Sequence, residues 1–306
     1  MRVQMDWDKL KTFHAAAEQL SLTAAATRLG VSQSAVSRQI ASLEHGLSVT
    51  LFHRHARGLV LTDAGVTLLE ATRDMAASAA LAESMLKDTR DRPQGELRVT
   101  APVALGALWL VPRLGRFQAT YPEVRLHLLL DDREYDLGRL EAECALRLGG
   151  ATHPDLVQRK ILEVEASLYA SLAYLEQAGT PPAPAALDDH RIIAYGAPED
   201  SPMQDLDWAM RAGRDGAAPR PCTLKVNNVY GMLKAVEAGL GIGSLPDYMA
   251  RTAAGLVRLF PDHAGTRFDV FFVYPAELRN SQRVAAFRRF LLDETAHQPP
   301  ETASRA

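Results

Sequence analysis

The sequence predicts an α/β chain built in unequal parts: an all-α-rich N-terminal unit, one linker helix and a larger α/β domain of two subdomains. Three observations predict it. At 306 residues the chain is roughly twice a usual single-domain length. All 17 prolines lie at or after Pro93, and the stretch before it holds only Gly30, Gly46, Gly58 and Gly65 in an Ala-, Leu- and Ser-rich background that suits packed helices. From Gly95 on, short alternating runs such as Leu97-Arg98-Val99-Thr100-Ala101 and Val124-Arg125-Leu126-His127-Leu128 recur between helical stretches.

Asp6 to Leu20 places Leu10, Phe13, Ala17 and Leu20 at three- and four-residue steps, an amphipathic helix with Asp6 as its cap. A second, short helix follows Thr23 and carries Ala25, Ala26 and Leu29 before Gly30 stops it. Gly30-Val31 makes a tight turn, and Ser32 caps a third helix running to about His45. On that helix Val36, Ile40 and Leu43 share one face, and Gln33, Ser34, Ser37, Arg38 and Ala41 the other. Helix, glycine turn, helix is a helix-turn-helix. Short polar groups beside one guanidinium suit a helix in the DNA major groove, where Gln and Arg pair with adenine and guanine edges.

Between Ser21 and Thr62, Arg28, Arg38, Arg54 and Arg57 stand against Glu44 alone, so this segment is basic while the chain carries a net charge of -3. Phosphate is the natural counter-charge. Leu51-Phe52-His53-Arg54 and Leu59-Val60-Leu61-Thr62, joined through Ala56-Arg57-Gly58, read as a hairpin wing that offers Arg57 and Arg54 to the DNA backbone. Singly, each polar residue here also fits a solvated helix face; the combination favours a reader. The candidate DNA contacts are Thr23, Ser32, Gln33, Ser34, Ser37, Arg38, Arg54 and Arg57. His53 and His55 lack partners that would complete a metal site, and no metal is expected.

Residues 8 to 65 resemble the winged helix-turn-helix of the LysR-type transcriptional regulators. The likeness is carried by Leu20-Ser21-Leu22-Thr23-Ala24-Ala25-Ala26, Val31-Ser32-Gln33-Ser34-Ala35-Val36-Ser37, Leu43-Glu44, Leu51-Phe52-His53-Arg54 and Leu61-Thr62-Asp63-Ala64-Gly65, in order and spacing. Leu22 stands where the family usually has Phe, a volume-conserving change. Ser48 replaces the customary Gly after Leu47 and leaves the end of the third helix open.

Thr62 caps a further helix on which Leu68, Thr72, Met75, Ala79, Ala82 and Leu86 form a heptad seam. The resemblance implies that this helix pairs between two subunits, giving a homodimer or homotetramer on successive half-sites of double-stranded promoter DNA, with RNA polymerase as a further partner. Packing within one chain is the alternative. Asp88 to Gln94 reads as a charged hinge.

Beyond it, strand Gly95 to Val99, helix 103–120, strand 124–130, a helix around 135–141 and strand Cys144 to Leu148 form a first unit. Strand Ser167 to Ala170, a helix through Tyr174, strands Arg191 to Tyr195 and Cys222 to Val226, helix 229–238 and strand 241–245 form a second. Strand Phe268 to Tyr274 and helix Ser281 to Asp293 return to complete the first. The segments Glu143 to Gly149 and Lys234 to Pro246 are also similar to the LysR family, which implies a periplasmic-binding-protein-like effector domain with a ligand cleft between two subdomains. Boundaries follow: 1–62 for the DNA-binding domain, 63–92 for the linker, dimerisation helix and hinge, 93–162 with 268–298 for subdomain I, and 163–267 for subdomain II.

Strand ends and helix starts converge in such a cleft and favour a small polar or anionic effector, a carboxylate among them. Thr100, Ala101, Val103, Arg147, Tyr195, Asn227 and Val229 are the candidate effector contacts. Each has a plainer reading: Thr100 and Asn227 as caps, Arg147 in an ion pair between domains, Tyr195 in the core.

Gly239-Leu240-Gly241-Ile242-Gly243 follows a helix instead of a strand and runs into Ser244 and Pro246, so no dinucleotide cofactor is expected. There is no nucleophile elbow, Walker loop or His-Glu-x-x-His helix, so an enzyme with a fused DNA domain is disfavoured. The net charge excludes a chain-wide basic coating. Cys144 and Cys222 read as buried small apolar residues. Met1 to Asp6 has no apolar core of signal-peptide length and the longest apolar stretch, Ala101 to Pro112, is too short to span a bilayer, so a soluble cytoplasmic protein is expected. The functional expectation is an effector-responsive, sequence-specific transcriptional regulator. The alternative is a constitutive architectural DNA binder whose α/β part only oligomerises.

Overall fold

The computed structural model describes residues 6–55, 58–87, 92–151, 153–196, 204–214, 218–263 and 265–296. The chain forms two compact units, Met1–Leu86 and Lys87–Ala306. No described helix is long and apolar enough to cross a membrane.

The first unit contains α1 (Trp7–Gln19), α2 (Leu22–Leu29), α3 (Gln33–Leu47), the hairpin β1 (Phe52–His55) and β2 (Gly58–Leu61), and α4 (Asp63–Lys87). A short oxygen side chain starts each helix: Asp6 accepts from the Asp8 N–H, Ser21 from Ala24, Ser32 from Ala35 and Thr62 from Gly65. Each such cap is typically worth about 1 kcal/mol. The cap of α2 is therefore Ser21, and Thr23 lies inside the first turn instead of before it. At the other end α3 runs to Leu47, two residues past His45. Ser48 adopts the left-handed backbone, φ 57°, and its N–H closes on the His45 carbonyl. A serine thus takes the conformation that glycine would adopt with less strain.

Phe13, Ala16, Ala25, Val36, Ile40, Leu43, Leu51, Phe52 and Leu69 form one core, with Leu22 packed at its margin. The Phe13 and Phe52 rings lie 5.3 Å apart and tie the hairpin to α1. A Cβ at Gly65 would stand 2.2 Å from the Leu51 carbonyl oxygen and 2.9 Å from a Leu61 methyl. That oxygen cannot retreat without moving the hairpin. Gly65→Ala is expected to cost roughly 1–3 kcal/mol, read as a lower Tm; an unchanged melting curve would show that the hairpin is not seated against α4.

The second unit contains, in order, β3 (Gly95–Ala101), α5 (Val103–Leu105), α6 (Leu114–Thr120), β4 (Val124–Leu130), β5 (Cys144–Leu148), β6 (Leu156–Ser171), α7 (Leu172–Ala178), β7 (Ile192–Tyr195), β8 (Leu224–Val226), α8 (Val229–Glu237), β9 (Ile242–Pro246), α9 (Asp247–Ala250), β10 (Leu256–Leu259), β11 (Thr266–Pro275) and α10 (Gln282–Ala296). One curled sheet runs β4-β3-β5-β11-β6-β9-β7-β8, with β10 on β6. Two parallel clusters, β4-β3-β5 and β9-β7-β8, are bridged by antiparallel β6 and β11. This is a two-subdomain α/β fold of periplasmic-binding-protein type, and its two long strands carry the crossings. Phe117 meets Phe287 and Phe290 edge-on, and Phe272 and Phe290 lie tilted against Phe287, which seats α10 under the first cluster.

Several expected elements differ. The helix over 103–120 is broken: α5 widens to a π turn at Gly106–Leu110 and tightens to a 3-10 turn at Val111–Arg113 before α6. Pro112 has no N–H for the regular ladder, which accounts for the change of pitch. No helix forms around 135–141. Asp136 Oδ1 accepts from the Arg139 N–H, the Glu141 carboxylate accepts from the Asp136 N–H, and Leu140 sits at φ 52°, so side chains replace the helical ladder. Ser167 to Ala170 is the end of a strand of 16 residues. Cys222 is half-buried, while Cys144 is buried as expected and burial pushes its thiol well up.

Arg220 is only 2 % exposed and is clasped by Asp188 at 2.6 Å and by the carbonyls of Ala209 and Pro184. Hydrogen bonds from Arg214 and then Arg220 hold the Asp188 carboxyl at about 2. That is below the unfolded value of about 3.9, so the stability it supplies is complete above about pH 4 and is lost as pH falls toward 2. Asp188→Asn is expected to flatten that part of the acid-unfolding profile; an identical profile would remove the clasp from the stability of this unit.

Candidate nucleic-acid interface and ligand cleft

Val36, Ile40 and Leu43 bury the inner face of α3, which leaves Gln33, Ser34, Arg38 and Ala41 exposed and Ser37 half-buried. Thr12 on α1 donates to Gln39 Oε1, a positioning bond that no sequence pattern announces. The start of α3 is further set by the Ser32 and Ser34 hydroxyls, 3.0 Å apart. Arg54 on β1 is exposed, and its guanidinium donates to Ser37 Oγ at 3.3 Å, so hairpin and α3 present one continuous polar surface. Thr23 is exposed at the first turn of α2. Arg57 lies outside the described residues.

Glu44, the acid of this segment, is turned away. Its Oε1 accepts from the Leu51 and Phe52 N–H groups at 2.7 and 3.3 Å and holds the start of the hairpin. Arg28, Arg38 and Arg54 remain exposed. An exposed basic helix-and-hairpin surface of this kind can hold the phosphates of a duplex and bring the first turns of α3 to base edges.

On α4 the expected seam divides. Leu68 is half-buried, and Met75, Ala79 and Ala82 are exposed; the Leu86 side chain lies outside the described set. Thr72 departs from the expectation: it is 3 % exposed, its hydroxyl donates to the Leu69 carbonyl and lies 3.3 Å from His14 Nδ1, and it packs into its own unit. The straight helix drifts relative to a seven-residue repeat, and α1 covers the side on which Thr72 falls. Burial also lowers the pKa of His14, favouring its neutral ring.

The second unit holds a cleft with a cavity volume of about 100 Å³. Thr100 and Ala101 at the end of β3, the loop Asp131 to Tyr135, and Arg147 on β5 line one side; Tyr195, Val229 and Tyr248 line the other, with Val164 and Phe268 from the bridging strands between them. Five of the sequence candidates, Thr100, Ala101, Arg147, Tyr195 and Val229, thus come together. Val103 and Asn227 do not line the cleft. The N–H of Val103 is taken by Asp132 Oδ1 at 3.0 Å. Asn227 is exposed, and the next residue, Asn228, caps α8 by accepting from the Gly231 N–H.

Asp132 is the residue that sequence reasoning missed. It stands just past the C-terminal end of β4, a position where ligand-facing groups collect, and that was its available signal. Besides the Val103 N–H it accepts from the Asn228 side-chain amide, a contact across the cleft between residues 96 apart in sequence. The crowded wall pushes its carboxyl above the usual value. Burial and then the Asp132 charge push the Tyr248 phenol up as well. Arg147 is 9 % exposed, donates to the Tyr135 carbonyl at 2.7 Å and lies 3.3 Å from Glu134.

Known proteins share both units. The family model for the bacterial regulatory helix-turn-helix protein, lysR family, matches residues 7–66, and the LysR substrate binding domain matches residues 90–296. An HTH-type transcriptional regulator of Xanthomonas campestris pv. campestris is 33% identical over 279 residues, covering 90% of this chain and 81% of that protein. The solved structure of CrgA, a LysR-type transcriptional regulator from Neisseria meningitidis, is 25% identical with a TM-score of 0.59, covering 95% of this chain and 99% of the other. The full-length structure of CbnR complexed with its target DNA has the same fold at 22% identity, with a TM-score of 0.66 and coverage of 95% and 100%.

Proposed function

This chain belongs to the LysR family of bacterial helix-turn-helix regulators, and from that premise we propose that it reads promoter DNA through α3 and the hairpin under the control of a small molecule in the α/β cleft. The observation that carries the reading is the surface of α3: capped by Ser32, anchored by Val36, Ile40 and Leu43, and presenting Gln33, Ser34 and Arg38 beside Arg54 with no acid among them. Gln33 and Arg38 supply base readout; Arg54, with Arg57, supplies phosphate contact.

The stripe Leu68, Met75, Ala79 and Ala82 of α4 pairs two subunits, so that two readers meet successive half-sites as a dimer or a dimer of dimers. The effector binds one arrangement of the two subdomains better than another and so changes the spacing of the readers. A coupling of about 1 to 3 kcal/mol, roughly 5- to 150-fold in affinity, is the usual scale. The protein acts in the cytoplasm, with RNA polymerase as the partner that receives the outcome.

The test is a gel shift of the full-length protein on the DNA just upstream of its own gene, with and without candidate metabolites. A retarded band whose midpoint moves with one metabolite is the expected result. A band that no metabolite moves would favour constitutive binding, and no band would remove the reading.

A further inference from the structure

Resting on the reading of this chain as effector-responsive, we infer that the cleft takes a small organic amine, bound as its ammonium with an apolar body, in preference to a carboxylate. An anion needs unspent N–H groups or a free guanidinium. In this cleft several of these are already engaged. The Val103 N–H and the Asn228 amide both donate to Asp132, and the Asn228 oxygen is used in capping α8. Arg147 is held by the Tyr135 carbonyl and Glu134. The Arg133 guanidinium lies over the Tyr135 ring, 5.1 Å from its centroid, at the exposed rim.

What the cleft still offers is suited to a cation. Asp131, Asp132 and Glu134 outnumber Arg133 and Arg147 in its lining, and although Glu134 pairs with Arg147 and Asp131 accepts from the Arg133 N–H, the balance stays negative. Among the described residues no hydrogen bond is made by the hydroxyls of Thr100, which is 5 % exposed, or Tyr248, and both line this cleft. An ammonium carries three donors and no acceptor, and hydroxyl and carboxylate oxygens are its complement. The rings of Tyr195, Tyr248 and Phe268 add π faces, which attract cations and bury an apolar body. A carboxylate here would face Asp132 at the very groups it would otherwise use.

Isothermal titration of the full-length protein with benzylamine, benzyl alcohol and benzoate, matched in shape and differing in charge, tests the assignment. Benzylamine is expected to bind at least about tenfold more tightly than benzoate, with the alcohol between them. Asp132→Asn, which keeps an acceptor for the Val103 N–H, is expected to erase that preference. Benzoate binding as tightly as benzylamine, or benzylamine not binding at all, overturns the amine assignment. A parallel gel shift without ligand separates the two levels: retained promoter binding with failed amine binding sinks only the ligand chemistry, whereas lost promoter binding sinks the regulator reading beneath it.

Discussion

Arg38→Ala is expected to weaken binding to the specific promoter site by roughly 1–3 kcal/mol and to relax the base preference at one position of each half-site. Arg38 is exposed on α3, on the face opposite Val36 and Ile40, and no ion pair with a described residue diverts its guanidinium. It is free to place two N–H groups on a guanine edge. The contrast is Arg54→Ala. That side chain sits on the hairpin and braces Ser37, so its loss should lower affinity for specific and random DNA alike and reduce the salt dependence by about one phosphate contact. Arg57 is expected to behave as Arg54 does. Quantitative gel shifts on the site and on fragments with single base changes measure both effects. Equal losses from Arg38→Ala on every fragment would assign that residue to the backbone instead of the bases.

A larger loss is expected from Ala79→Glu. Ala79 lies with Met75 and Ala82 on the exposed stripe of α4, and in a symmetric pairing of two such helices the substitution puts two carboxylates into one apolar seam. The variant should sediment as a monomer and lose the gain from binding two half-sites at once, roughly 10²- to 10⁴-fold in affinity, while its melting temperature holds. Thr72→Glu supplies the contrasting case. Thr72 is buried against His14 and Leu69, so a carboxylate there should lower the melting temperature of the DNA-reading unit directly. If Ala79→Glu leaves both the sedimentation and the promoter affinity unchanged, the pairing surface lies elsewhere.

These two positions also show where sequence was legible. Spacing on a single helix is a local property, so the inner faces of α1 and α3, their caps at Asp6 and Ser32 and the tight turn at Gly30 could all be read from neighbours in the chain. Which side of α4 meets α1 is not local, and a heptad count put Thr72 with Met75 when packing separates them. The same limit governed the cleft. Thr100, Ala101, Arg147, Tyr195 and Val229 follow from the rule that strand ends and helix starts face the ligand. The choice between Asn227 and Asn228 as the cap of α8 turns on one residue of register, and the Asp132 contact with Asn228 joins segments that no local pattern connects. The turn at Asp136 was hidden because its side-chain hydrogen bonds compete with a helix that the apolar spacing alone would support.

The most direct measurement is a competition titration of the full-length protein at one fixed salt concentration, between DNA from upstream of its own gene and a scrambled duplex of the same length and composition. With the polar face of α3 in the major groove, the native fragment should win by at least about 10³-fold, and Arg38→Ala should cut that margin by roughly 5- to 150-fold. Equal affinity for the two duplexes would contradict base reading by α3.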